Sequence, residues 1–436
     1  MKALFKKLLP PFLIGWYHKF LAYFAMYWYG NPSNKLIVIG VTGTNGKSTT
    51  VNLIAKILET DGNKVGFTTT ANFKVADLEW LNDKKMTMLG RFQTQKLLRQ
   101  MVKAGCQYAI IETSSEGIKQ YRHIGMNYDI AVFTNLTPEH LEAHGGFENY
   151  KKAKGKLFAH LTAKPRKILN GQQVPKVIIA NLDDEHASYF LNFTADRKIT
   201  FSIDRTSDIK AEDLQINPDG GKFNINKTAF ALNLIGKVNV YNALAAISVS
   251  KSQYISDEVI QKALIDFKNM PGRFEWIATN TNFKIMVDYA PEPESMKKLY
   301  ETLKLFSFNN VIQVLGSCGG GRDKVRQPVL GGIAAKNAQI VIVTNEDPYD
   351  DDPMEIINNV ANGAEGTGKI LNQNLFKIED RREAIKKALS LAGEGDLVLL
   401  TGKGCEQFIC IAGGHKIPWD DRQVIKELLK TYQPPS

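Results

Sequence analysis

The stretch Gly40-Val41-Thr42-Gly43-Thr44-Asn45-Gly46-Lys47-Ser48-Thr49-Thr50 constrains the fold more than any other part of this 436-residue chain. It follows a short apolar run at 35–39 that reads as a strand, and it opens a helical pattern at 48–59. Glycines between a strand and a helix let backbone N–H groups wrap a phosphate, and the helix N-terminus adds positive potential. Lys47 can reach the terminal phosphates of a nucleotide, and the Ser48 hydroxyl can ligate Mg²⁺. The spacing is the shorter G-x-x-G-K-S, with Val41 standing where the first glycine of G-x₄-G-K-[ST] would be.

The same alternation of strand, loop and helix continues. Strands are predicted at 35–39, 108–111, 130–134, 177–180, 284–287, 311–315, 340–343 and 397–400, most of them Val/Ile/Leu-rich without alternation. Strands covered on both faces have that character. With helical stretches such as 48–59 and 381–391 between them, they imply βαβ units and an α/β fold with mostly parallel sheet. Residues 195–235 hold short alternating runs and the turn Asn217-Pro218-Asp219-Gly220-Gly221, which predict an antiparallel insert. Pro271-Gly272 marks a boundary before a new strand series. The expected layout is an N-terminal helical segment at 1–33, a central P-loop ATPase domain at 34–270, and a C-terminal Rossmann-like α/β domain at 271–436 that binds an amino acid. Ligands of such sheets gather beyond the carboxyl ends of the strands.

Composition narrows the function classes. Hydrophobic residues make up 44% and charged residues 23%, which excludes whole-chain disorder, collagen and coiled coil. Four cysteines, Cys106, Cys318, Cys405 and Cys410, are too few and too scattered for a disulfide framework, and none are spaced as C-x-x-C. A reducing cytoplasm follows. The net charge of +10 suits a soluble enzyme with anionic substrates, and no basic block reads as a nucleic-acid arm.

The first thirty residues stand apart. Ten of them are aromatic, from Phe5 to Tyr29, with Lys2, Lys6 and Lys7 ahead of the apolar run. Pro10-Pro11 and His18-Lys19 interrupt that run, and 12–29 is at the short end of what spans a bilayer. Two readings stand: a helix packed on the body of the protein, or an interfacial helix making peripheral contact with the inner membrane face through residues 1–30.

Further chemistry lies along the chain. Glu112 ends a predicted strand, where a carboxylate commonly meets the Mg²⁺ of a P-loop nucleotide. Thr134-Asn135-Leu136-Thr137-Pro138-Glu139-His140 and the lysine-rich Tyr150–Phe158 stretch follow. Read alone, His140 is a metal ligand or a structural histidine, and the lysines are functional or a solvated helix face.

Taken together, Thr42-Gly43-Thr44-Asn45-Gly46-Lys47, Glu112-Thr113-Ser114-Ser115, and Thr134-Asn135-Leu136 with His140 are similar to the ATP-dependent Mur ligases, which build the peptide of the bacterial cell-wall precursor. The tripeptide synthetase (MurE) type resembles this chain most. Asn239 and Asn242, Pro271-Gly272-Arg273-Phe274-Glu275, Val287-Asp288-Tyr289-Ala290, Gly319–Lys324, Gly402-Lys403-Gly404 with Glu406, and Asp420-Asp421-Arg422 extend the resemblance over about residues 31–430.

The resemblance implies ligation of an amino acid to the peptide carboxylate of a muramoyl-peptide, UDP-linked in the family. The carboxylate takes the γ-phosphoryl group of ATP, giving an acyl phosphate and ADP, and the incoming amine displaces phosphate. It implies ATP, two Mg²⁺ ions and a lysine carbamylated by CO₂, here Lys154. Gly43, Thr44, Asn45, Gly46, Lys47, Ser48 and Thr49 would hold phosphates, with Asn242, Arg273, Asp288 and Tyr289 also facing the nucleotide. Ser48 and Glu112 would bind one Mg²⁺; Glu112, His140 and Lys154 would serve the second. An ammonium cannot ligate a cation, whereas a carbamate is an anionic oxygen ligand. Ser115 and Arg122 match positions that hold the peptide, while Arg322, Asp347, Pro348, Tyr349, Gly402 and Glu406 match positions around the incoming amino acid. A monomer is expected.

Three departures matter. About 33 residues precede the first ATPase strand, where the MurE type has a uridine-binding domain. The loop Glu346-Asp347-Pro348-Tyr349-Asp350-Asp351-Asp352 carries Tyr349 in place of the arginine that pairs with the distal carboxylate of diaminopimelate, which favours L-lysine or another basic amino acid. Pro291 and Cys405 replace family histidines. Two alternatives remain: a related ligase with a lipid-linked, folate-like or polypeptide acceptor, and a membrane-associated P-loop nucleotide switch. The set Lys47, Glu112, His140 and Lys154 argues against the switch, which needs no second metal.

Overall fold

The computed structural model describes residues 11–139, 141–322 and 324–432. The chain divides into two compact units, Met1–Pro138 with Phe147–Lys268, and Glu139–Gly146 with Asn269–Ser436. Each has its own sheet.

Among the described residues, the first unit holds a nine-stranded sheet. Its order is Ile209–Lys210, Arg197–Ser202, Val177–Asn181, Ile130–Phe133, Ile37–Thr42, Tyr108–Glu112, Val65–Thr68, Asn72–Val75 and Leu78–Leu81. Pairing is parallel up to Val65–Thr68; the last two strands run antiparallel. The strand order reverses direction at Ile37–Thr42, which lies between Ile130–Phe133 and Tyr108–Glu112. Its carboxyl end is therefore the natural ligand position.

This strand runs through Gly40 and Thr42 rather than ending at 39. Gly40 serves packing: a Cβ there would lie 2.8 Å from the Tyr128 ring. Residues 195–235 also differ from expectation. Arg197–Ser202 joins the main sheet in parallel with Val177–Asn181, and only Glu212–Asn217, Gly220–Ile225 and Thr228–Leu232 form the antiparallel insert. Arg197–Ser202 lies next to the sheet edge and is half solvated along its first residues, so it alternates like an antiparallel strand.

At the amino end of strand Ile130–Phe133, Asp129 is buried with two lysines. Lys167 Nζ is 2.5 Å from Oδ2 and Lys176 Nζ 3.1 Å from Oδ1. The second lysine also donates to the Tyr128 carbonyl and the first to that of Leu36. Burial pulls the Lys167 ammonium down to about 8, against the pull of Asp129.

The N-terminal helix, Pro11–Trp28, packs Ala22, Ala25 and Met26 inward, and Phe24 meets Phe92 of helix Arg91–Lys103. No helix among the described residues is long and apolar enough to cross a membrane.

The second unit holds a six-stranded sheet, in the order Glu275–Ile277, Lys284–Val287, Leu397–Leu400, Val311–Leu315, Ile340–Val343 and Leu375–Lys377. Only the first pair is antiparallel. Its apolar strands are buried on both faces, as their Val/Ile/Leu-rich runs, broken only by Gln313 in these three, require. All four cysteines are buried, and none is in a disulfide.

Candidate active site

In the first unit the loop after Ile37–Thr42 is shaped by two glycines. Gly43 has φ +151° and Gly46 φ +81°, both costly for residues with a Cβ. A Cβ on Gly43 would meet Thr134 Oγ1 at 2.0 Å, and one on Gly46 would meet Asn242 Oδ1 at 2.1 Å. The loop is thus fixed from behind by two neighbouring elements. Asn135 clamps it further: its carbonyl accepts from Thr44 N–H at 2.8 Å, its Oδ1 from Asn45 N–H at 2.9 Å, and its Nδ2 donates to the Asn45 carbonyl at 3.0 Å. Lys47 curls over the loop and donates to the Thr44 carbonyl at 2.7 Å.

Ser48, in the first turn of helix Lys47–Thr60, donates to Glu112 Oε2 at 2.6 Å. Glu112 is the last residue of its strand, level with Val41. Thr70 completes its shell, with N–H to Oε2 at 2.8 Å and Oγ1 to Oε1 at 3.0 Å. Lys154, on helix Phe147–Leu161, is buried; its Nζ donates to the Gly43 carbonyl at 2.6 Å and lies 4.5 Å from the centre of the Tyr150 ring. The helix turns this one lysine inward and leaves Lys152 and Lys156 exposed. Thr49 is half-buried on the same helix turn as Ser48.

Thr42 Oγ1 and Asn45 Nδ2 are buried without a hydrogen-bond partner. Unmet donors at a glycine loop, beside a hydroxyl and a carboxylate, fit a magnesium nucleotide.

Asn242 stands behind the loop, held by Asn239 at 3.1 Å and Thr50 at 3.4 Å. Ser115 is buried in the first turn of the short helix Ser115–Lys119. Arg122 is tied to the Met88 carbonyl and to Gln120 Oε1, and burial lowers its basicity. His140 lies outside the described residues.

The second unit gathers the remaining positions at the carboxyl ends of its parallel strands. The turn at Gly272, φ +65°, lies so close to Gly404 and Cys405 that a Cβ would reach Cys405 N at 2.1 Å. Arg273 next to it covers the Tyr289 ring at 4.4 Å. Asp288 is half-buried and accepts from Phe274 and Ala290 N–H; desolvation raises its carboxyl, and Arg273 opposes that. Gly402 N–H donates to the Tyr289 carbonyl at 2.9 Å. Lys403 is fully buried and bridges Asp347 Oδ1 at 3.0 Å and Glu406 Oε2 at 2.9 Å. Arg322 sits among Cys318, Tyr289, Tyr349 and Glu292. The Pro348 carbonyl would meet a Cβ on Gly319 at 2.4 Å, and the Tyr349 ring would meet one on Gly320 at 2.6 Å, so the glycine run lets this loop lie flat on it.

Glu346 is the group that sequence reasoning missed here. It is buried, its Oε1 accepts from the Cys318 thiol at 2.8 Å, and its Oε2 has no partner. Burial raises its carboxyl and holds the Cys318 thiol protonated. Cys318, Glu346 and Asp347 are close enough to share a metal, but the Lys403 ammonium already supplies the positive charge beside Asp347. The acids after Tyr349 have structural partners: Asp350 accepts from Gly413 N–H, Asp351 from Gly320 N–H, and Asp352 caps helix Pro353–Glu365. Thr70 was also missed in the first unit. Its signal in the sequence is the run Thr68-Thr69-Thr70 that closes an apolar strand.

Gly46→Ala is expected to weaken nucleotide binding at least tenfold, read by calorimetry with ADP and Mg²⁺. The added methyl collides with Asn242 in a left-handed backbone position. Native affinity in this variant would show that the loop does not hold the nucleotide.

The chain matches two domain families: the Mur ligase middle domain over residues 41–250, and the Mur ligase glutamate ligase domain over residues 272–404. It is 36% identical over 417 residues to a UDP-N-acetylmuramoyl-L-alanyl-D-glutamate–2,6-diaminopimelate ligase of Geobacillus thermodenitrificans, covering 94% of this chain and 82% of that one. It is 37% identical over 424 residues to a UDP-N-acetylmuramyl-tripeptide synthetase of Roseiflexus sp., with 94% and 82% covered. Among solved structures, a UDP-N-acetylmuramoyl-L-alanyl-D-glutamate–2,6-diaminopimelate ligase matches with TM-score 0.58 at 31% identity, over 91% of this chain and 78% of the other. The fold is shared as well by Mycobacterium tuberculosis folylpolyglutamate synthase, TM-score 0.70 at 16% identity, over 88% and 92%.

Proposed function

The chain belongs to the Mur ligase family, and on that premise we propose that it is an ATP-dependent, ADP-forming ligase that joins an amino acid to the peptide carboxylate of a UDP-linked muramoyl-peptide precursor. The observation that carries this reading is the hydrogen bond of Ser48 to Glu112 at the mouth of the glycine loop, with Lys154 buried against Gly43 on the other side.

A carboxylate acylates amines poorly, so the reaction first needs a leaving group. The substrate carboxylate attacks the γ-phosphorus of ATP, ADP departs, and the amine then displaces inorganic phosphate and loses a proton. Bringing two anions together demands positive charge at the point of contact. Lys47 and the loop N–H groups supply part of it. Ser48 and Glu112 would hold one Mg²⁺; Glu112, His140 and a carbamylated Lys154 would hold a second. These ions would neutralise the phosphate oxygens as negative charge moves across them. Asn242, Arg273, Asp288 and Tyr289 are read as nucleotide contacts, and Ser115 and Arg122 as peptide contacts. The domains are read as 34–270 for ATP and 271–436 for the amino acid. The enzyme is read as a cytoplasmic monomer.

For the incoming amino acid, Arg322 offers a cation to the α-carboxylate, with Gly402, Glu406 and Pro348 shaping its surroundings. Two of the relatives above are named for diaminopimelate, which carries a second carboxylate. Here Tyr349 stands at the loop position where an arginine would pair with that group, and Glu346 has an unpartnered carboxylate oxygen nearby. Asp347 counts for less, being neutralised by Lys403. A side-chain ammonium fits this arrangement better than a second carboxylate, so L-lysine is the proposed amino acid.

The direct test is a matrix of muramoyl-peptide acceptors and amino acids, scored by ADP release and by the mass of the amide product. ADP release without either substrate would sink the ligase reading. Tyr349→Arg is expected to shift the ratio of kcat/KM for diaminopimelate over lysine about tenfold or more, since a hydrogen bond to a charged group contributes roughly 1.5–3 kcal/mol. An unchanged ratio would remove this loop from side-chain selection.

A further inference from the structure

The N-terminal helix is amphipathic in the opposite sense to a helix of a soluble domain. Its inward face carries the small residues Gly15, Ala22 and Ala25 with Met26. Its outward face carries Leu13, Trp16, Tyr17, Phe20, Tyr23, Phe24, Tyr27 and Trp28, at steps of three and four residues. Trp16 is 72% exposed, Phe20 63%, Tyr27 68% and Trp28 70%. A surface helix normally buries such a stripe. Single exposed apolar residues are ordinary, but a contiguous stripe marks a binding surface. The rings touch one another along the helix, Phe20–Phe24 at 6.1 Å and Phe24–Trp28 at 5.8 Å between centroids, and Phe92 extends them onto helix Arg91–Lys103 at 6.0 Å.

Charge says what covers this face. The helix contains Lys19 and no acid, and the sequence has no Asp or Glu before Glu59, while Lys2, Lys6 and Lys7 precede the helix. Helix Arg91–Lys103 adds Arg91, Lys96, Arg99 and Lys103, again without an acid. Lys19 and Lys164 hold their ammonium groups beside the rings of Tyr121 and Tyr23, at 5.1 and 5.2 Å. A second copy of the chain would bring its own cations against these. An anionic partner with an apolar interior meets both the rings and the cations. Tryptophan and tyrosine favour the headgroup zone of a bilayer, and basic residues favour anionic lipid.

We propose that helix Pro11–Trp28, with Phe92 and the cations of helix Arg91–Lys103, is a docking face for an anionic phospholipid surface. The helix lies in the headgroup plane with Trp16, Phe20 and Trp28 inserted and Lys19 and Lys96 against the phosphates. The helix Pro11–Trp28 lies on the bilayer rather than spanning it.

The test is co-sedimentation of the full chain with vesicles of phosphatidylcholine alone and of phosphatidylcholine with phosphatidylglycerol. Partition is expected to be at least tenfold stronger on the anionic vesicles and to weaken as salt rises from 0.05 to about 0.5 M, because screening shortens the reach of the cations. The variant Trp16→Ser/Phe20→Ser/Trp28→Ser should lose at least tenfold in partition while its melting temperature and solution ATPase stay unchanged. Lys19→Glu/Lys96→Glu should lose the preference for anionic lipid without losing the rings. Equal partition of native and triple variant overturns the proposal. So does a concentration-dependent dimer that the triple variant abolishes, which would give the face to a second copy. The readout is partition rather than ligation, so it stands apart from the ligase reading.

Discussion

Replacing Lys154 by alanine is expected to lower ligation by about 10²–10³-fold or more, the effect of removing one preorganised group that stabilises transferring charge, while leaving Mg-ADP affinity within a few-fold. The helix Phe147–Leu161 presents Lys154 from a buried face made with Tyr150, Ala153, Leu157 and Phe158, so alanine there keeps the helix and its packing. What disappears is the group beside Gly43. As an ammonium, Lys154 is a donor, as in its bond to the Gly43 carbonyl, and cannot ligate a cation. As the proposed carbamate it would be an anionic oxygen ligand for a cation shared with Glu112. The two states can be separated in the native protein. Activity should fall in CO₂-depleted buffer and return with bicarbonate, and Lys154→Ala should show no such response. Native activity indifferent to bicarbonate, with an active alanine variant, would remove the carbamate from the mechanism.

Arg381→Leu is expected to destabilise the second unit by about 3–5 kcal/mol, read by urea unfolding followed with tryptophan fluorescence. Arg381 is fully buried and bidentate to Asp421, at 2.8 and 2.7 Å, and it also donates to the Thr401 carbonyl at 3.0 Å. Trp419 Nε1 shares the same carboxylate at 2.8 Å. Removing the arginine leaves a buried anion with one neutral donor. Replacing both partners by leucine should recover much of the loss, because an apolar pair of similar volume is often neutral or stabilising. A small effect from the single change would mean that Asp421 takes up water or a proton at little cost. The arginine also ties Thr401 to the start of helix Arg381–Leu391, just before Gly402, so the single variant should weaken amino-acid binding more than nucleotide binding.

The sequence was most legible where chemistry is local. Strands at 284–287, 311–315, 340–343 and 397–400 and the helix at 381–391 fall where apolar runs and spacing put them, because each is bounded by loop residues that cannot continue the pattern. The glycine loop is legible because its backbone needs glycine at Gly43 and Gly46. Strand ends were less so. The sheet ladder carries Ile37–Thr42 past residue 39 by pairing with two distant strands, and no local signal reports that. Long-range partners were least legible. Thr70 reaches Glu112 across 42 residues, Lys403 reaches Asp347 across 56, and Arg381 in an Arg-Arg-Glu helix start looks solvated until Asp421 is placed against it. The partners of the acids at 350–352, all backbone N–H groups, were likewise not legible in the sequence.

The knot of Asp129, Lys167 and Lys176 carries a lesson for anyone redesigning this chain. One anion is bonded to two cations, so the group carries excess positive charge, which the Leu36 and Tyr128 carbonyls solvate and Asp196 opposes at longer range. Neutralising Asp129 strands two cations, and neutralising either lysine changes what the other must satisfy. A mutational walk toward an all-apolar interior therefore has no comfortable first step at this place. It must change two or three positions together, and in a diverging lineage the trio should be inherited or lost as a block.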